Sequence, residues 1–306
     1  MEILENSFIL LQSWGALLEN RLNELDNSQW LYWTNTIYET NFPPDPTHRL
    51  RKTHGAMKPP ELMAEIISFF SKTDELVLDP FAGVGGTLLG ALLMKRRAIG
   101  IELNPLWVKT FQELTANFQV VDGVFVRKQP KQMINEGNAT VQVRLGDCLE
   151  IMGEYADDSF AAVITDPPYG CQHGATGFSD ETNFNMLNPA AGADLGNSPS
   201  YDVYFDKMQS FGREAFRILQ PGRYLVMLIG DRYHRGEYLP LGYQVAEILR
   251  GVGFKFKGIR IWWNKATQRP LKPYALKSCF VPNITHQNIL IMRKEPTAKG
   301  SPKHRS

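Results

Sequence analysis

ELVLDPFAGVGGTLLGALLM, residues 75–94, decides the fold. Its first five residues, 75–79, form a short apolar run that ends in an acid and reads as a buried strand. LLGALLM, 88–94, reads as a helix. Between them Gly83, Gly85 and Gly86 let the backbone bend tightly and come close to a ligand. The helix that follows offers N–H groups with no partner in its own first turn. The loop contains no GK[ST] and no strict GxGxxG, so it fits neither the phosphate-loop nor the dinucleotide pattern.

The same alternation continues on both sides. RAIGIEL (97–103), VQVRLGD (141–147), FAAVITD (160–166), RYLVMLIG (223–230), FKFKGIRIWW (254–263) and HQNILIMRK (286–294) read as strands. PLWVKTFQELTANF (105–118), YFDKMQSFGREAFRIL (204–219) and YQVAEILRG (243–251) read as helices between them, and PPELMAEIISFF (59–70) as one ahead of them. Strands alternating with helices predict an α/β fold, a mostly parallel sheet of seven strands wrapped by helices. Three of those strands end in acids: Asp79, Glu102 (23 residues later) and Asp147. Ligands of such sheets bind at the carboxyl ends of the strands, where an acid can accept ribose hydroxyls. Three acids at one edge suit a nucleoside that carries positive charge, and S-adenosylmethionine is such a molecule.

The chain has 306 residues, 43% of them hydrophobic, enough for one large domain or two small ones. It contains no run of 18 apolar residues, and its first residues lack the basic start of a signal peptide. Cys148, Cys171 and Cys279 are odd in number and widely spaced, which predicts a reducing, cytoplasmic setting with neither a disulfide framework nor a metal site. The net charge of +1 hides an asymmetry: residues 251–306 hold 12 basic residues and one acid, leaving 21 basic and 31 acidic residues elsewhere. One basic end points to a polyanionic partner. Residues 170–200 contain no Lys or Arg and many Gly, Asn, Ser and Pro, and read as a long binding loop or lid. Residues 265–283 mix basic residues with prolines and aromatics.

One further stretch carries chemistry: VITDPPYG, residues 163–170, where a strand runs into an acid, two prolines and a tyrosine. Two prolines in succession hold the backbone rigid. Together with HGAMKPPELM (54–63), DPFAGVGGT (79–87), IGIELN (99–104), LQPGRYLVMLIGD (219–231), IRIWWNK (259–265) and THQNILIMRK (285–294), it resembles the amino-directed DNA methyltransferases that modify adenine N6 or cytosine N4. The resemblance covers residues 50–294 or so. It implies a Rossmann-like class I methyltransferase fold with an antiparallel last strand and S-adenosylmethionine as cofactor. By resemblance, Asp79, Phe81, Gly83 and Gly85 cradle the methionine part, Glu102 holds the ribose, and Asp147 the adenine amino group. The segment from His54 to Pro59, with Lys58, closes the pocket beside the methionine carboxylate.

Asp166, Pro167, Pro168 and Tyr169 are the expected catalytic residues. Asp166 and the Pro167 carbonyl would accept hydrogen bonds from an exocyclic amine, and Tyr169 would stack on the extruded base, a task for the ring and not the hydroxyl. Aspartate at the first position leans toward adenine within this family, and serine toward cytosine N4. DPPYG is also similar to the motif of tRNA guanine-N2 methyltransferases, and a non-catalytic nucleic-acid-binding module is the remaining alternative. Arg269, Lys272 and Lys277, with Arg49 and Arg51 of THRLRKTH (47–54), are the expected DNA-backbone contacts. The expected organisation is a helical N-terminal extension (1–50), a catalytic domain (51–294) and a basic flexible tail (295–306). DNA is the expected partner, with a homodimer mate, a specificity partner or a cognate restriction nuclease as further candidates.

Overall fold

In the computed structural model, residues 20–128, 141–170, 192–267 and 270–296 are described. The chain begins with α1 (Asn27–Trp33), β1 (Ile37–Thr40), α2 (His48–Arg51) and α3 (Pro60–Phe70). It continues with β2 (Leu76–Asp79), α4 (Gly86–Leu93), β3 (Arg97–Glu102), α5 (Pro105–Asn117) and a hairpin of β4 (Phe118–Val121) and β5 (Val124–Arg127). Next come β6 (Val141–Leu145), α6 (Cys148–Gly153), β7 (Phe160–Thr165), α7 (Tyr201–Ile218) and β8 (Leu219–Ile229). A second hairpin, β9 (Arg232–His234) and β10 (Glu237–Leu239), precedes α8 (Leu241–Val252), β11 (Lys255–Asn264) and β12 (Gln287–Arg293).

The main sheet has the order β1-β11-β12-β8-β7-β2-β3-β6. Its pairs are parallel except those of β12, which runs antiparallel to both β11 and β8. Successive side chains of a strand point to opposite faces, and here both faces are apolar. Leu78, Val163, Leu225, Met227 and Ile229 pack with α6, α7 and α8 through Met152, Phe211 and Leu249. Val77, Ile164, Val226 and Leu228 pack with α1, α3, α4 and α5 through Trp33, Ile67, Leu88 and Phe111. A strand covered on both sides has no polar face, so these strands are continuous apolar runs in the sequence.

Seven strands of the sheet are those read from the sequence. The eighth, β1, lies within residues 1–50, and this corrects the reading of that segment as a helical extension. Ile37–Thr40 pairs in parallel with Ile261–Asn264. The Arg260 guanidinium lies 4.0 Å from the Trp33 ring centre and 4.2 Å from that of Tyr38. Trp262 Nε1 donates to Thr40 Oγ1 at 2.8 Å, and Trp33 stacks on Phe69 at 4.5 Å. A four-residue strand whose partner lies more than 200 residues away has no local signature. Residues 1–19, most of the 170–200 loop and nearly all of the 295–306 tail lie outside the described residues.

Candidate active site

Because β2, β3, β6, β7 and β8 are parallel, their carboxyl ends share one edge. Asp79 closes β2. It is buried, and it accepts from Thr165 Oγ1 at 2.6 Å, Thr87 Oγ1 at 2.5 Å and the Phe81 N–H at 3.1 Å. Burial pushes its carboxyl up to about 6 against those three donors. Asp79 thus ties the ends of β2 and β7 to the start of α4 and fixes the glycine loop. Within that loop Gly85 has φ +82°, and a Cβ there would lie 2.1 Å from the Phe111 ring. A side chain would be both strained and overlapped.

Glu102 closes β3 and accepts from the Gly83 N–H at 2.8 Å and the Asn104 N–H at 2.7 Å. Burial raises its carboxyl to about 7. Asp147 caps α6 by accepting from the Leu149 and Glu150 N–H groups. It also lines a cavity of about 140 Å³ with Phe81, Cys148, Leu149, Leu195 and Phe211. His54 is buried against the glycine loop: its Nε2 lies 3.0 Å from where a Gly83 Cβ would stand, and its ring meets Trp107 edge-on at 5.0 Å. Burial, with Lys58 and Arg51 nearby, drives its pKa down to about 3, so the imidazole is neutral at ordinary pH.

The DPPY stretch leaves the end of β7. Tyr169 Oη donates to Asp166 Oδ1, and Lys58 Nζ lies 2.5 Å from Asp166 Oδ2. The Tyr169 phenol is raised well above its usual range, by burial first and by the Asp166 charge second. Its ring fits because residue 230 is glycine: a Cβ there would lie 3.0 Å from the ring and 3.9 Å from Gln287 Cγ. Tyr204 Oη donates to the Pro168 carbonyl at 3.0 Å, which fastens α7 to the motif.

Several sequence expectations change here. Lys58, assigned to the cofactor side, reaches the Asp166 carboxylate across the site. The Tyr169 hydroxyl is engaged in addition to the ring. Arg51, expected at phosphate, is buried, 2.6 Å from Asp45 Oδ2, and donates to Thr47 Oγ1 and the Lys58 carbonyl. It shapes the 45–58 segment and cannot reach a duplex. Arg49, Lys272 and Lys277 are exposed, as a phosphate contact requires. Arg269 lies outside the described residues. Thr87 and Thr165 stand inside the quoted DPFAGVGGT and VITDPPYG stretches and Tyr204 opens the 204–219 helix, but nothing local in the sequence shows that their hydroxyls meet Asp79 and the Pro168 carbonyl.

The residues present fit S-adenosylmethionine. A buried Nδ1 of His54 has no hydrogen-bond partner among the described residues, and the mostly apolar cavity beside Phe81, with the Asp147 carboxylate in its wall, suits a purine. The sheet order, the single antiparallel strand and this edge define a Rossmann-like methyltransferase, and its cofactor is S-adenosylmethionine. Within that class the chain belongs to the N6/N4 DNA methylase family, whose sequence model matches residues 13–113 and 160–303.

Among similar proteins is the type II methyltransferase M.HindIII of Haemophilus influenzae, 49% identical over 51 residues, 17% of this chain and 16% of that protein. A tRNA (guanine(10)-N2)-dimethyltransferase of Pyrococcus abyssi is 30% identical over 112 residues, 37% of this chain and 28% of that one. The chain thus spans less than two thirds of the length of these relatives. A DNA modification methylase homologue of Thermus thermophilus, TTHA0409, solved in complex with S-adenosyl-L-methionine, is 25% identical over 52% of this chain and 57% of its own, with a TM-score of 0.35.

Proposed function

We propose that this chain methylates the exocyclic amine of a base turned out of DNA, and that the base is adenine, modified at N6. The observation that carries the reading is the Asp166 carboxylate, held from two sides by Lys58 and Tyr169 at the end of β7. An exocyclic amine is a weak nucleophile because its lone pair is delocalised into the ring. A carboxylate has about four lone-pair sites. Lys58 and Tyr169 occupy one each, and those remaining accept an N–H of the amine. The Pro167 carbonyl accepts a second, and both bonds favour a localised lone pair on nitrogen. The prolines and the Tyr204 bond hold these acceptors still, and positioning of this kind lowers the barrier without reorganisation.

The bound cofactor supplies an electrophilic methyl group on a sulfonium. His54 and the loop of Phe81, Gly83 and Gly85 would hold its methionine part, Glu102 its ribose and Asp147 its adenine amino group, while Asp79 braces the loop from below. Arg49, Lys272 and Lys277 would meet phosphates.

A second reading rests on the similarity to the Pyrococcus abyssi tRNA enzyme: guanine N2 is also an exocyclic amine, whose N–H groups could be taken by the same kind of acceptor. Incubation with methyl-labelled cofactor and either DNA or tRNA, followed by nucleoside analysis, separates the two. N6-methyladenine in DNA is the expected product. N4-methylcytosine would correct the base, and N2-methylguanine in tRNA would overturn the substrate.

A further inference from the structure

The segment joining β11 to β12 displays apolar side chains to solvent. Phe280 is 87% exposed, Leu271 72%, Leu276 70% and Tyr274 50%. No large apolar side chain among the described residues is more exposed than Phe280. The segment is nonetheless tied into shape. The Asn283 side chain donates to the Lys272 carbonyl and accepts from the Lys272 N–H, each at 2.9 Å, closing residues 272–283 into a loop. Inside it the Ser278 and Cys279 N–H groups both turn back to the Ala275 carbonyl, and Ala275 and Lys277 take φ of +47° and +62°. This architecture presents Leu276 and Phe280 outward where a hydrophobic core would have taken them inward.

Its place is equally specific. β11 runs in the direction of β7 and β8, so the loop rises from the edge that bears Asp166 and Tyr169. It returns at Gln287, which flanks the space that Gly230 leaves for the Tyr169 ring. From 265 to 286 the chain has Lys265, Arg269, Lys272 and Lys277 and no acid. Exposed aliphatic and aromatic groups on a positive loop are poorly matched to water. They are well matched to a duplex, which offers phosphates outside and an apolar stack within. Proteins that unstack bases do so by inserting such side chains between them, and a base drawn into this site leaves a gap in its stack.

Resting on the DNA reading above, we propose that loop 270–283 is the wedge of base extrusion. Phe280, flanked by Leu276, enters the stack where the target base leaves, and Lys272 and Lys277 meet the adjoining phosphates.

The test uses a duplex carrying the methylation site mapped from cells that express the full chain. In one form the target base is paired; in the other it lies opposite an abasic position and is already loosened. Phe280→Ala should slow single-turnover methylation of the paired duplex at least ten-fold and that of the loosened duplex less than two-fold. Lys272→Ala should weaken binding of both duplexes equally. The same loss on both duplexes with Phe280→Ala, or no loss on either, overturns the wedge. So does sedimentation in which Phe280→Ala converts a DNA-free dimer to monomer, which would assign the loop to a second copy. Wild-type protein that methylates neither duplex but methylates tRNA would refute the DNA reading itself. Phe280 is too exposed for alanine to unfold the domain, and a thermal melt checks this.

Discussion

Replacing Tyr169 with phenylalanine removes one oxygen and leaves the ring in place against Gly230. The oxygen is the donor to Asp166 Oδ1, while Lys58 holds Oδ2 at 2.5 Å. A hydrogen bond to a charged acceptor contributes about 1.5–3 kcal/mol. The Asp166 side chain is 19% exposed, so water replaces part of that bond, and the lower half of the range, about 1.5–2 kcal/mol, applies here. If the bond holds the carboxylate where the amine meets it, that cost falls on the transition state, a slowing of about 10–30-fold. Base capture, which uses the ring, should stay within about two-fold of wild type, whereas Tyr169→Ala should lose a further ~1–3 kcal/mol of stacking. Single-turnover methylation, binding of a duplex with 2-aminopurine at the target, and thermal melting are measured side by side. A Tyr169→Phe protein that methylates within two-fold of wild type refutes the positioning role. One that slows only in proportion to lost folded protein makes the hydroxyl a structural bond.

Asp79 and Glu102 have carboxyls raised by burial from 3.8 and 4.5 to about 6 and about 7, so the folded chain retains protons that the unfolded chain has shed. Their contribution is fully present below about pH 4 and is lost as pH rises through 6 to 7; melts of cofactor-free protein between pH 5 and 8 should show the fall, and Glu102→Gln should flatten its upper part. Glu102→Gln should also weaken cofactor binding about ten-fold by calorimetry, the loss of one charge-assisted hydrogen bond of roughly 1.5 kcal/mol. Lys272→Ala with Lys277→Ala should reduce the log–log salt slope of DNA binding by roughly 0.9 for each phosphate no longer neutralised; an unchanged slope removes both from the phosphate backbone. Arg51→Met should cost about 3–5 kcal/mol in denaturant unfolding by stranding the buried Asp45, and the salt slope of the folded variant should match wild type.

The sheet and the chemistry of its edge were legible in the sequence because both are local. Strands buried on two faces are uninterrupted apolar runs, a glycine loop must contain its glycines, and Asp166 and Tyr169 stand three residues apart. Tertiary structure alone decided which of those groups meet. Lys58 faces Asp166 because α3 begins beside the end of β7, 108 residues further along the chain, and no spacing encodes that distance. The same holds for Asp79, which Thr165 reaches across 86 residues, and for β1, which completes the sheet against β11. Arg51 shows the limit from the other side: in sequence it is one more cation in THRLRKTH, and only its burial against Asp45 separates it from the exposed Arg49 two residues before. Residue type and local pattern report what a side chain can do; burial and its partners, set by contacts distant in sequence, determine what it does.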